Sequence, residues 1–301
     1  MIKFRLNGSN KTFSGDRKLT LLKYLRETEN IKSVRDGCSA QAFCGACMVE
    51  MNGKPVLSCI TKMGKTEGAE IFTMEGFPER VKEVIADAFV RKGAVQCGFC
   101  TTGFITRIKI LLGNNPSPSR NEVTKALRNN YCRCTGYKKI IDASMEAIET
   151  LNNNKNKEVE KSGRIGTSLP KYNAYEKALG TSPYVDDLNF DGMVYSALRF
   201  SDHPRAKVIS IKTKKAEKLD GVIRVITYQD IPGERYSGLI YNDWPLMISE
   251  GETTRYIGDV IAGIVADTED TARIATGLID VEYEVYEPLT DMERAEKSEI
   301  K

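Results

Sequence analysis

Eight cysteines constrain this chain more than any other feature, because they fall into two groups of four with none left over. The first group is Cys38, Cys44, Cys47 and Cys59; the second is Cys97, Cys100, Cys132 and Cys134. In the second group, Gln96-Cys97-Gly98-Phe99-Cys100 and Cys132-Arg133-Cys134-Thr135-Gly136-Tyr137 flank 31 residues of helical pattern. Three chemistries use cysteines in such numbers. A disulfide framework suits small secreted chains, and the start Met1-Ile2-Lys3-Phe4-Arg5-Leu6 has no apolar leader run. A pair of four-cysteine zinc sites usually takes two CxxC-type pairs per site, which the first group does not offer. A pair of iron–sulfur clusters accounts for both groups. One cysteine, a loop, C-x2-C and a distant fourth cysteine is the plant-type ferredoxin spacing. Here the loop Ser39-Ala40-Gln41-Ala42-Phe43 holds five residues where that spacing has four, and its small residues must absorb the extra one.

Cluster chemistry explains the neighbouring residue types. A two-iron two-sulfur cluster takes four thiolates and is anionic, so main-chain N–H groups aimed at the sulfurs lower its cost and set its potential. Gly37, Gly45 and Ala46 allow that close approach in the first group. Cys97 and Cys100 stand where a helix is expected to begin, and its unpaired N–H groups and positive dipole end favour an anion.

Cys44-Gly45-Ala46-Cys47, Gln96 to Cys100 and Cys132 to Tyr137 resemble the molybdenum hydroxylases, the xanthine dehydrogenase and aldehyde oxidoreductase family. The resemblance implies a multidomain α+β chain: a β-grasp ferredoxin-like domain, a four-helix 2Fe-2S domain, then an α/β hammerhead-like domain. It implies one [2Fe–2S] cluster in each of the first two, with Gln96 and the Cys134 region near a molybdopterin. Thr102 stands where the family has proline, a change expected to affect a helix's first turn. Tyr184-Val185-Asp186-Asp187-Leu188, Asp230-Ile231-Pro232-Gly233 and Arg255-Tyr256-Ile257-Gly258-Asp259 are similar to the opening of the family's molybdenum part. Asp243-Trp244-Pro245 and Gly251-Glu252 look most like selenium-dependent xanthine dehydrogenases.

The pattern along the chain sets the expected boundaries. Residues 1–76 read mostly as strand, with Ile2, Phe4 and Leu6 alternating against Lys3 and Arg5. Residues 11–13 can pair back on that strand, residues 19–29 form one helix, and Asn52-Gly53 marks a hairpin. Residues 77–151 change to helical spacing in four segments, the third opened by a Ser119–Glu122 capping box. Residues 152–165 are polar, Asn- and Lys-rich, and expected to be a linker. Many relatives carry a flavin domain at this junction. The stretch is too short for one, so FAD is expected on a separate subunit. Residues 166–301 return to mixed α/β, with strands at 208–211 and 222–227 and a βαβ unit over 258–285.

Composition excludes several functions. A net charge of +3 argues neither for nucleic acid nor for a membrane surface, and no apolar run is long enough to span a bilayer. Reduced cysteines without an export signal point to the cytoplasm. His203, the only histidine, and Trp244 lack partners in sequence and are read as structural. No carboxylate has a spacing that nominates a catalytic base. Relatives continue well past this point, so the catalytic base and most of the molybdopterin contacts are expected in a part outside this chain. The resemblance implies a purine-like substrate, with an aldehyde as the alternative. A zinc-stabilised interaction protein remains the reading from a different class.

Overall fold

Alternation of apolar and charged residues produces β1 (Ile2–Leu6), which buries Ile2, Phe4 and Leu6 and exposes Lys3 and Arg5. The computed structural model describes residues 1–153, 163–167 and 169–298. β2 (Ser9–Phe13) pairs antiparallel with β1, placing Phe13 opposite Ile2. α1 (Leu21–Lys23) starts at Thr20, whose hydroxyl accepts from the Lys23 N–H, and runs on as a wider turn through Tyr24–Thr28. β3 (Met48–Met51) and β4 (Lys54–Leu57) form the expected hairpin. Its turn residues Asn52 and Gly53 both have positive φ, 51° and 74°, as a two-residue type I′ turn requires. β5 (Glu70–Phe72) lies parallel to β1 and antiparallel to β3, giving the order β2-β1-β5-β3-β4. Leu21, Leu22, Tyr24 and Leu25 pack on this mixed sheet with Phe4, Val49 and Ile71, which is the β-grasp arrangement. Each such side chain removed from water contributes about 1.5–3 kcal/mol.

The helical segments follow as α2 (Glu79–Arg91), α3 (Thr101–Asn114), α4 (Arg120–Ala126) and α5 (Lys138–Asn153). Ser119 and Glu122 make both arms of the capping box at α4. Their apolar faces meet in one core around Phe89, Phe104, Ile108, Val123 and Ile140. The expected linker, 152–165, lies largely outside the described residues. Beyond it, α6 (Ala174–Leu179) adds Ala174 and Ala178 to the same core. The third domain was expected from residue 166, whereas the first compact unit runs to Leu188 and the second begins at Asn189. Burial of α6 in the helical core is the reason.

The second unit holds β6 (Tyr195–Phe200), β7 (Ala206–Lys212), α7 (Lys214–Glu217), β8 (Val222–Ile226), β9 (Tyr236–Ser237), β10 (Trp244–Pro245), β11 (Val260–Ala266), α8 (Glu269–Thr276), β12 (Asp280–Val285) and α9 (Met292–Glu296). The sheet order is β6-β11-β8, and β12 pairs with β7 in a separate ladder. This corrects the βαβ expectation: β11, α8 and β12 follow one another, but both strands pair antiparallel and in different sheets. The burial patterns explain it. β11 is buried almost throughout beneath α8, whereas β12 alternates and leaves one face open. Among the described residues no helix is long and apolar enough to cross a membrane.

Candidate metal centres

All eight cysteines are free thiols, and the fold gathers them into the two groups expected. In the first group the long loop is closed by left-handed residues: Ser39, Ala40 and Ala42 have φ of 49°, 58° and 65°. A side chain in that conformation costs roughly 1–2 kcal/mol, so the extra loop residue is absorbed at the expense of backbone strain. Asp36 Oδ1 holds the turn, accepting from the N–H groups of Cys38 and Ala40, each at 3.1 Å. The Cys38 thiol then meets Cys44, and Cys47 meets Cys59. Burial pushes the Cys47 thiol up to about 12 and raises Cys44 and Cys59 as well. Burial acts in the same sense on Cys38, yet main-chain N–H groups of Cys44, Phe43 and Gln41 outweigh it and lower its pKa. Those are the sulfur-directed donors that an anionic cluster needs.

The second group sits at the start of α3, with Cys100 as its N-cap. Cys97 and Cys134 Sγ are 3.6 Å apart, and Cys100 pairs with Cys132. The Cys100 thiol donates to Cys132 and brings it down to about 5, while Cys100 itself is pushed up by the same bond and by burial. Thr135 supports the Cys132 sulfur through its N–H (3.4 Å) and its hydroxyl (3.1 Å). Cys97 and Cys134 are exposed, so this pair forms the open edge of the group.

These donors fit a two-metal cluster. Two thiolates on one tetrahedral metal, with bonds of about 2.3 Å, lie about 3.8 Å apart, close to the Cys97–Cys134 spacing. Each group consists of two such pairs, as two irons sharing sulfide bridges require.

The two groups are also locked to each other. Gly45, between Cys44 and Cys47, lies against Gly103 of α3; a Cβ on Gly103 would sit 2.3 Å from the Gly45 oxygen. The Tyr131 N–H donates to the Cys44 carbonyl at 2.8 Å. Phe99, beside Cys100, packs against Cys38, Cys44 and Ala46. The segment after the expected linker clamps the second loop: Lys171 Nζ donates to the Gln96 carbonyl (2.5 Å) and the Tyr184 hydroxyl to the Cys97 carbonyl (2.7 Å). Spacing could not reveal Lys171 or Tyr184, since both reach the loop across more than 70 residues of chain. The Gln96 side chain is exposed beside Cys97. His203 and Trp244 lie in the second unit. The His203 carbonyl accepts from the Ser201 and Thr254 hydroxyls, and its ring edge meets Tyr283 at 5.1 Å. Trp244 is 54% exposed, its ring edge-to-face with Tyr256.

Three families match successive parts of the chain. Residues 9–91 match the 2Fe-2S iron-sulfur cluster binding domain and residues 73–161 the [2Fe-2S] binding domain. Residues 179–287 match the aldehyde oxidase and xanthine dehydrogenase a/b hammerhead domain. The chain is 36% identical to the aldehyde oxidoreductase of Megalodesulfovibrio gigas over 93% of its own length and 33% of that protein's. It is 42% identical to the nicotinate dehydrogenase small FeS subunit of Eubacterium barkeri, over 50% of this chain and 97% of that subunit. Its fold superposes on the aldehyde oxidoreductase of Desulfovibrio desulfuricans with a TM-score of 0.90 at 30% identity, covering 98% of this chain and 34% of the other. The chain thus spans about a third of the length of these aldehyde oxidoreductases.

Proposed function

The chain belongs to the molybdenum hydroxylase family, and on that premise we propose that it relays electrons between a molybdopterin centre and an external acceptor. Cys38, Cys44, Cys47 and Cys59 hold one [2Fe–2S] cluster; Cys97, Cys100, Cys132 and Cys134 hold the other. The observation that supports this is the docking of two four-thiol loops against each other through Phe99 and the Gly45–Gly103 contact. Residues 1–76 and 77–151 are the two cluster-binding domains, and the hammerhead region begins the molybdenum part.

A bound molybdopterin supplies the two-electron oxidation of substrate carbon with oxygen from water. The residues of this chain hold and order the relay. Main-chain donors to Cys38 and the Thr135 donors to Cys132 stabilise thiolate charge. Lys171 and Tyr184 fix the loop that carries Gln96 and Cys97, and its exposed edge would be the one open to a pterin. Gln96, with an amide that both donates and accepts, docks it. The buried first group then faces the acceptor, a flavoprotein subunit carrying FAD. The substrate is a purine-like heterocycle or an aldehyde, and the enzyme works in the cytoplasm.

Anaerobically purified protein tests the core of this reading. Iron with acid-labile sulfide is expected, with two EPR signals after dithionite reduction. Cys47→Ala should remove one signal and spare the other. Zinc without iron, or loss of both signals from that single change, would rule it out.

A further inference from the structure

We propose that Arg35 is a buried cation shared by the two cluster sites and that it raises the reduction potential of both. The inference rests on the two-cluster reading above and adds a residue that carries no ligand sulfur.

Arg35 touches a ligand peptide in each group. Its main-chain N–H donates to the carbonyl of Ala46 at 3.2 Å, and that carbonyl belongs to the peptide bond of Cys47. Its Nη1 donates to the carbonyls of Gly98 (3.0 Å) and Phe99 (3.3 Å), the latter in the peptide bond of Cys100. One residue therefore joins the C-x2-C of the first group to the CxxC of the second. The side chain is 1% exposed, the largest among the fully buried ones. Among the described residues its Nε and Nη2 have no hydrogen-bond acceptor. The guanidinium lies instead against aromatic rings, 4.6 Å from the Tyr184 centroid and 5.7 Å from that of Phe99.

Burying a guanidinium without a carboxylate bonded to it is unfavourable unless opposite charge lies close. The carboxylates nearest it do not meet that need. Asp187 is bonded to Arg26 at 2.7 Å, and Glu75 is taken up by Ser33 and Thr73. The anionic clusters that the two four-thiol groups would hold would supply the missing charge. One-electron reduction adds a negative charge to a cluster without any proton. A fixed cation in a low-dielectric setting favours that more negative state, and so makes the potential less negative. The guanidinium bonds the second loop and the main chain of the same residue bonds the first, so its field reaches both centres.

The test is a potentiometric titration of the full chain with its clusters, followed by EPR so that each centre is read separately. Parent protein must first show two iron-based signals; their absence defeats the cluster assignment rather than the role of Arg35. Arg35→Gln keeps an N–H donor and removes the charge, so both potentials should fall. Arg35→Lys keeps the charge and should stay near the parent values. Unmoved potentials in Arg35→Gln, a shift at one centre only, or an equal fall in Arg35→Lys would each overturn the proposal. A positioning role through hydrogen bonds alone predicts that last outcome. Should Arg35→Gln fail to assemble, Arg35→Met decides, since it fills the buried space with a long uncharged side chain. Both potentials should then fall, and no movement would sink the idea.

Discussion

The Thr102 hydroxyl donates to the Ser33 carbonyl at 2.7 Å, and both residues are 2% exposed. The position is the second of α3, where no intrahelical acceptor awaits an N–H, so a proline would suit the backbone. The departure from the family pattern therefore does more than adjust a first turn. It ties the helix carrying Cys100 to the strand of chain leading into Cys38. Thr102→Val should leave the Ser33 carbonyl buried and unpaired, at a cost of about 1–3 kcal/mol. The visible colour of the clusters should bleach at lower temperature than in the parent, and an unchanged bleaching temperature would remove the bond from the account. The same contrast shows what spacing can reveal. The eight cysteines were legible as two groups of four because cluster coordination would fix residue type and count. Arg35, Thr102, Lys171 and Tyr184 were not, because each acts through a main-chain carbonyl brought near only by folding.

Single elements were legible where local chemistry decides them. The Asn52-Gly53 hairpin and the Ser119–Glu122 cap are local, and both formed as read. The β11–α8–β12 succession was read correctly as strand, helix, strand, but pairing partners depend on which faces are covered, and period says nothing of that. An ionic clamp holds another such non-local junction. Arg235 grips Glu252 with both arms, at 2.6 and 2.5 Å, while the Tyr236 hydroxyl and the Ser249 N–H also donate to it. This fastens the β9–β10 ribbon to the turn before β11. Partial burial opposes the Glu252 charge, yet Arg235 and the other donors prevail and lower its pKa from 4.5 to about 2. A carboxylate depressed in the folded state contributes stability above its unfolded pKa and loses it as pH falls through the folded one. Parent protein should therefore be more heat-stable than Glu252→Gln at neutral pH, and the gap should close between pH 4.5 and about 2. A gap that stays constant across that range would mean that the clamp is not ionic.

At the scale of the whole chain, the segment after residue 165 decides how the molecule comes apart. Composition separates 152–165 from its surroundings, but only structure shows that the chain up to Leu188 packs with the first unit. Four anchors hold that strap: Ala174 and Ala178 in the helical core, Lys171 and Tyr184 on the Gln96–Cys97 carbonyls. Asp187 adds an ion pair to Arg26 at 2.7 Å with its carboxylate only 5% exposed, so solvent screens it less than a surface pair. Polar residues rich in Asn and Lys, without aromatics, are where proteases enter most readily. Brief trypsin treatment should cut between Lys155 and Arg164, giving two bands under denaturing conditions. A linker that merely joined independent bodies would then release them. The strap predicts otherwise: the nicked halves should elute together in native gel filtration, with the colour in the shared peak. Tyr184→Phe removes the bond to the Cys97 carbonyl and should loosen that association, so that more of the coloured fragment elutes alone. Complete separation of the nicked parent would show that the strap's contacts are too weak to hold the cluster loop, and first cuts inside residues 78–151 would contradict the helical domain's boundary.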